Sequence, residues 1–218
     1  MGGAYPLRQC AVMDKEEQKH MDRVEEARRT LLALYGGSHS PLEESDPDFA
    51  AIKQRLVYGE LYAQEALDPV MRELILLAVA TTNQTMSEVK LHPCAALRSG
   101  ASPEAVKEAV YHCAPYIGLG KAEAAAAAVN EVLRTQGISL PLASQRTVSE
   151  EDRLTAGIAA QKSIFGPHID EMRAAAPNDK KPLQDYLSAY CFGDFYTRSG
   201  LDIRQRELLT FSILSAQG

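Results

Sequence analysis

The segment DPVMRELILLAVATTNQTMSEVKLHPCAALRSG, residues 68–100, carries the clearest structural signal in this 218-residue chain. Asp68 followed by Pro69 is a preferred pair at a helix start, because the carboxylate accepts hydrogen bonds from unpaired N–H groups and proline suits the first turn. The residues that follow are apolar on nearly every side, which predicts a buried helix through about Thr82. After a short turn, a second helix is expected over residues 86–98. The segment therefore predicts a helical hairpin with a buried first arm.

Helical spacing continues on both sides of this hairpin. Charged and apolar residues mixed at intervals of three and four predict helices over residues 15–35 and 49–66. Downstream, Ser102 precedes another proline and opens a further helix, and an alanine-rich helix is expected over residues 121–136. No segment alternates between apolar and polar residues for long enough to predict a sheet. The sequence therefore predicts an all-α protein.

Composition and charge restrict the possible binding partners and the cellular compartment of the protein. The net charge is -6 and no run of lysine or arginine stands out, so we expect no nucleic-acid partner and no membrane partner. The longest apolar stretch, residues 74–80, is too short to cross a bilayer, and residues 1–14 resemble an irregular leader rather than a secretory signal. The four cysteines form no Cys-x-x-Cys pair: Cys10, Cys94, Cys113 and Cys191. A cytoplasmic protein with reduced thiols is the simplest interpretation.

Several short blocks of the sequence recur later in the chain. Residues 58–62 match residues 192–196, and residues 72–74 match residues 206–208, both at an offset of 134 positions. Two upstream matches share an offset of 130 positions: Asp22-Arg23 with Asp152-Arg153, and Tyr35-Gly36 with Phe165-Gly166. Because chance matches do not share an offset, we interpret the pattern as an internal duplication.

The duplication predicts the domain organisation. We expect a leader over residues 1–14, a complete domain over 15–137, a linker over 138–149 and a partial second copy over 150–218. The second copy reaches Gly218 where the first copy reaches its hairpin turn, so the second repeat is expected to be incomplete.

Three side chains of the hairpin could meet. Glu88 and His92 are four residues apart and share one helix face. Glu73 lies on the preceding arm, and counting from the turn places it within roughly 4–5 Å of the height of His92. A carboxylate bound to one imidazole nitrogen selects the tautomer and raises the basicity of the other nitrogen. The spacing is compatible with a proton-transfer site, with a structural polar network or a solvated helix face as the alternatives.

Several blocks in a fixed order resemble a known family. They are residues 71–80, 88–92, 96–97, 99–102, 104 and 116–118, and they resemble the core pattern of the carboxymuconolactone decarboxylase and alkylhydroperoxidase D superfamily. The resemblance covers about residues 20–136, with residues 150–218 as a truncated second copy. It implies an alkylhydroperoxidase D-like helical bundle and a homo-oligomer resembling a trimer or hexamer.

The resemblance also implies an activity. Family decarboxylases act without a cofactor or metal on a small carboxylated lactone, which loses carbon dioxide and is protonated. By resemblance, His92 is the acid–base residue, assisted by Glu73 and Glu88, and His112 and Tyr116 are substrate-binding. Gly120 departs from the proline usual in the family at that position.

Other functions stay open. Alkylhydroperoxidase D carries two redox cysteines before its histidine; with that histidine aligned on His92, they fall on Thr85 and Glu88. A peroxiredoxin-type activity would therefore need non-standard thiols such as Cys94 or Cys113, which helical position favours as buried apolar residues. A non-catalytic oligomeric module is a further alternative. The His92, Cys94, His112 and Cys113 set does not match familiar zinc spacings, so no metal is expected.

Overall fold

A computed structural model describes residues 15–37, 40–64 and 66–218 of the chain. Within these residues it contains ten α-helices, two π-helical segments and no strand, which confirms the predicted all-α class. The expected leader over residues 1–14, with Cys10, lies outside the described residues. In the part of the chain that is described, no helix is both long and apolar enough to span a membrane.

The α-helices are α1 (Lys15–Tyr35), α2 (Pro47–Gln54), α3 (Pro69–Asn83), α4 (Met86–Arg98), α5 (Pro103–Ile117), α6 (Leu119–Thr135), α7 (Arg153–Phe165), α8 (His168–Ala175), α9 (Lys181–Tyr186) and α10 (Ile203–Gln217). The π-helical segments are π1 (Arg55–Leu61), which follows α2 directly, and π2 (Leu187–Tyr196), which follows α9 directly. The single helix expected over residues 49–66 is therefore wrong in detail, because its second half is π-helical and ends at Leu61. The described residues form two compact units, divided after Ala66.

In the first unit α1 packs against π1. Gly59 makes this approach possible, since an added Cβ there would lie 2.1 Å from the carbonyl oxygen of Arg23. Arg23 also forms an ion pair with Glu60. The Tyr35 and Tyr58 rings meet edge to face with centroids 5.9 Å apart. A close backbone contact, an ion pair and an aromatic pair thus hold this helix pair together.

In the second unit α3 is the central helix and packs against α4, α5 and α10. Its residues Leu74, Leu77 and Ala78 are fully buried, as its apolar sequence predicts. The predicted cap is confirmed, because Asp68 Oδ1 accepts hydrogen bonds from the N–H groups of Val70 (3.0 Å) and Met71 (3.2 Å). The second predicted cap is confirmed as well, since the Ser102 hydroxyl accepts a hydrogen bond from the Ala105 N–H at 3.1 Å. These caps position the hairpin arms and α5 around the site described below.

Within the second unit, α7 packs against π2 with the contacts that α1 makes with π1. An added Cβ at Gly193 would lie 2.2 Å from the carbonyl oxygen of Arg153, which is ion-paired with Asp194. Phe165 and Phe192 meet edge to face with centroids 5.9 Å apart. Each of these contacts has a counterpart in the first unit. The paired residues differ by 130 positions between α1 and α7 and by 134 positions between π1 and π2.

The last helix, α10, also has a counterpart in the first copy of the repeated sequence. Helix α10 begins after Asp202, whose side chain accepts a hydrogen bond from the Gln205 N–H at 2.8 Å, and it covers the positions that correspond to α3. The stretch expected to be a linker, residues 138–149, contains no helix. The domain limits deduced from the duplication remain a prediction.

Candidate functional site

The hairpin brings Glu73, Glu88 and His92 together. Glu73 projects from α3, while Glu88 and His92 lie one turn apart on α4. Nδ1 of His92 is 3.0 Å from Glu73 Oε2, a hydrogen-bonding distance. Nε2 of the same ring is 3.5 Å from Glu88 Oε2, which is an ion-pair distance. The imidazole therefore lies between two carboxylates, one on each ring nitrogen.

The two carboxylates have different surroundings. Glu73 is fully buried and His92 is 6% exposed, whereas 31% of the Glu88 side chain is exposed. Arg72 Nε lies 3.5 Å from Glu73 Oε1, which brings a positive charge close to the buried carboxylate. The Nδ1 side of the imidazole thus faces the protein interior, and the Nε2 side faces Glu88 and the surface.

This arrangement changes the acidity of the imidazole. Burial alone would lower the pKa of His92, but its hydrogen bonds and charge interactions with Glu73 and Glu88 outweigh burial and raise the pKa above its usual value. The imidazolium therefore persists to higher pH than that of a free histidine. In that form Nδ1–H donates to Glu73, and the Nε2 proton is held on the side of the ring that faces the surface. The site can store and deliver one proton.

His112 and Tyr116 of α5 belong to a different polar cluster. The His112 Nε2 lies 2.9 Å from the Thr210 hydroxyl, and the Tyr116 hydroxyl lies 2.9 Å from the same oxygen. The Tyr196 hydroxyl lies 2.8 Å from Thr210 and donates a hydrogen bond of 2.7 Å to Glu207. The contacts described for His112 and Tyr116 thus run to the second repeat rather than to His92. Their assignment as substrate-binding residues remains a prediction.

Three groups of this second cluster, His112, Tyr116 and Tyr196, are neutral near pH 7. Burial, together with the charge of Arg206, lowers the pKa of His112 to about 3. Burial also raises the pKa of Tyr116 to about 12 and raises that of Tyr196. The cluster is therefore a network of hydrogen bonds rather than a site of proton exchange. Sequence reasoning missed Glu207 as a member, although its offset of 134 marks it as the counterpart of Glu73.

Two of the described thiols, Cys113 and Cys191, have buried environments that suppress their reactivity. Burial raises the pKa of Cys113 to about 12 and that of Cys191 to about 11, so both are protonated near neutral pH. Cys113 is fully buried, as its helical position predicts, and Cys94 is partly exposed. Among the described residues, no group of three or more histidine, cysteine or acidic side chains is arranged to hold a metal ion.

The comparisons with known proteins concern the family of the domain that contains this hairpin. Residues 47–131 match the sequence model of the Carboxymuconolactone decarboxylase family, and the all-α architecture is consistent with that family's helical fold. The chain thus contains a carboxymuconolactone decarboxylase family domain, which confirms the resemblance seen in the sequence. A curated relative is the 4-carboxymuconolactone decarboxylase of Acinetobacter baylyi. It is 29% identical over 98 residues, which cover 45% of this chain and 73% of that protein. Glu73, Glu88 and His92 all lie inside the family match.

Proposed function

We propose that this protein is a cofactor-free decarboxylase or related lyase that acts on a small carboxylated lactone or similar ring compound. The observation that carries the proposal is the His92 imidazole held between Glu73 and Glu88, with a raised pKa, inside the family domain. The relative is named for the decarboxylation of 4-carboxymuconolactone, and the same class of substrate suits a site that donates one proton.

The proposed chemistry needs one proton and no external oxidant. The bond between the ring carbon and the carboxylate breaks, carbon dioxide leaves, and the electron pair of that bond delocalises into the conjugated lactone carbonyl. The Nε2–H of His92 then protonates the resulting carbanion to give the product. Glu73 accepts the Nδ1–H bond and keeps the ring in place throughout. Glu88 is partly exposed beside Nε2, so it can pass a proton from solvent back to the imidazole.

This mechanism has a pH dependence with a defined sign. The active form is the imidazolium, and the raised pKa of His92 extends it towards neutral pH. Activity is therefore retained at and below the ordinary histidine pKa and is lost as pH rises through the pKa of His92 in the folded protein.

The test is carbon dioxide release from 4-carboxymuconolactone by the purified chain. We expect His92→Asn to lower kcat by about 10²- to 10⁴-fold, the usual contribution of a general acid. His168→Asn is the matched control, because His168 is an exposed histidine on α8. Full activity in His92→Asn would refute the role given to this residue, and no release by the unmodified chain would refute this substrate.

Peroxidase activity of the alkylhydroperoxidase type receives less support. An attacking thiolate is required for it, and burial keeps the Cys113 and Cys191 thiols protonated. Peroxide turnover with a dithiol donor would nevertheless favour it over the decarboxylase.

We also propose that the chain forms a homo-oligomer. The two repeats expose apolar side chains at corresponding positions, Phe49 and Ile52 on α2 and Leu183 and Tyr186 on α9, each at least 60% exposed. A patch that occurs twice in one chain suits association with further copies of that chain. Light scattering of the purified protein tests this, and a strictly monomeric species would contradict it.

A further inference from the structure

A cavity of about 160 Å³ lies between α5 and the segment that follows α6. One wall is a face of α5 with Lys107, Glu108 and Tyr111, and the other is formed by residues 141–145 together with Arg198. None of these residues belongs to the Glu73–His92–Glu88 site. At roughly 30 Å³ for each water molecule, the cavity has room for about five waters or one small organic anion.

A buried carboxylate beside this cavity is shared by two arginines. Glu108 is 1% exposed and accepts hydrogen bonds from Arg198 Nε at 2.9 and 3.0 Å. It also accepts one from Arg206 Nη2 at 3.1 Å. Two guanidinium groups thus share one negative charge, which leaves an excess of positive charge in a region of low dielectric constant.

Arg206 adds a second, buried cation to this cluster. It is fully buried, and its Nε and Nη1 have no hydrogen-bond partner among the described residues. Its Nη2 bonds Glu108 and the carbonyl oxygen of Arg198, at 2.8 Å. Burial of a cation with unsatisfied donors is costly, and a nearby anion reduces that cost.

The cavity wall adds a further cation. Lys107 Nζ lies 5.5 Å from the centroid of the Tyr111 ring, and the Arg198 guanidinium carbon lies 5.6 Å from the same centroid. Two positive groups are therefore held at one aromatic ring in the cavity wall. Counting Arg206 behind the wall, there are three cations against two carboxylates, those of Glu104 and Glu108. The lining by itself is balanced, and the net positive charge of one comes from Arg206, which bonds Glu108.

We propose that this cavity binds a small oxyanion, a carboxylate or a phosphate, through Lys107 and Arg198. The anion neutralises the excess charge of the Glu108–Arg198–Arg206 cluster, and Tyr111 positions the two cations that contact it. This site is separate in its residues from the proposed catalytic site and does not depend on the function assigned there.

Calorimetric titration of the full chain at pH 7 tests the site. Sodium acetate and sodium phosphate are the two probes, each at constant ionic strength made up with chloride. We expect saturable binding of at least one probe, and the stronger of the two identifies the anion as a carboxylate or a phosphate.

Two variants test whether the anion binds at this cavity. Lys107→Gln should weaken binding about tenfold, since it removes one charged contact from a half-buried position. Lys180→Gln removes an exposed lysine elsewhere and should leave binding unchanged. The thermal midpoint of the unmodified chain should rise with the same anion. Absence of saturable binding by both probes, or equal affinity in Lys107→Gln, would overturn the proposal.

Discussion

The two copies of the Arg-Glu-Leu motif place their glutamates in contrasting surroundings. In the first copy Glu73 is fully buried and bonds the His92 imidazole at 3.0 Å. In the second copy Glu207 is partly exposed and accepts a hydrogen bond from the Tyr196 hydroxyl at 2.7 Å. One glutamate is paired with a histidine of raised pKa, and the other with a tyrosine that stays protonated. Only the first has a partner that can exchange a proton near neutral pH.

The helices that carry the motif also turn different faces inward. Leu77 of α3 is fully buried, whereas its counterpart Phe211 of α10 is 71% exposed. Arg206 is fully buried, whereas its counterpart Arg72 is partly exposed. The same motif and a similar cap thus form a helix in both places, and the neighbouring helices determine what each side chain does.

The largest expected difference between the copies is catalytic. Glu73→Gln should lower kcat/KM by about 10³-fold, because the His92 imidazolium loses its buried anionic partner. It should also move the loss of activity to lower pH, because it removes an interaction that raises the pKa of His92. Glu207→Gln should change neither. Steady-state carbon dioxide release across a pH series measures both effects, and equal losses in the two variants would mean that the glutamates act alike.

The next difference concerns packing. Leu77→Ala should lower the free energy of unfolding by about 2–5 kcal/mol, since it leaves a cavity in the core. Phe211→Ala should cost less than about 1 kcal/mol, since the ring is largely exposed. Urea unfolding monitored by circular dichroism measures both. A large loss for Phe211→Ala would show that this face of α10 is covered in solution.

The two buried histidines should respond to pH in opposite directions. His112 is neutral in the folded protein down to about pH 3 but titrates near 6.5 when unfolded, so the unfolded chain binds more protons in that window. Stability should therefore fall as pH is lowered from about 6.5 towards 3, and His112→Asn should reduce this dependence. The raised pKa of His92 contributes stability that is present below about pH 6.5 and is lost as pH rises through the folded value.

Urea unfolding at several pH values measures the histidine contributions. The difference between the unmodified chain and His112→Asn removes the background from the carboxylates. An identical pH dependence in the two proteins would contradict the neutral state assigned to His112.

The smallest expected difference lies in the helix caps. Asp68→Ala and Asp202→Ala should each lower the free energy of unfolding by about 1 kcal/mol, because each removes hydrogen bonds to N–H groups of a first turn. The two costs should be equal to within a few tenths of a kcal/mol, since both caps are exposed to solvent. A cost confined to one repeat would show that the caps do not contribute equally.

Much of the fold was predictable from local sequence. Asp68 and Ser102 mark the helix starts by residue chemistry that acts over three positions, and helix α4 spans the predicted residues 86–98. The convergence of Glu73, Glu88 and His92 was also predictable, because a tight turn and the rise of a helix determine the relative heights of the two arms. The π-helical form of π1 was not predictable, since its apolar spacing does not differ visibly from that of an α-helix.

The sequence by itself therefore determined the two helices of the hairpin, the caps at Asp68 and Ser102, the repeated sequence blocks and the trio of side chains within one hairpin. Only the tertiary structure decided that His112 and Tyr116 bond Thr210 of the second repeat, and that Arg206 is buried on Glu108 while Arg72 stays near Glu73. The physical reason is the separation along the chain between the residues that interact. Caps and hairpin heights depend on neighbours within a few residues, whereas burial and pairing depend on which distant helices pack together, and a duplicated motif has the same local sequence in both places.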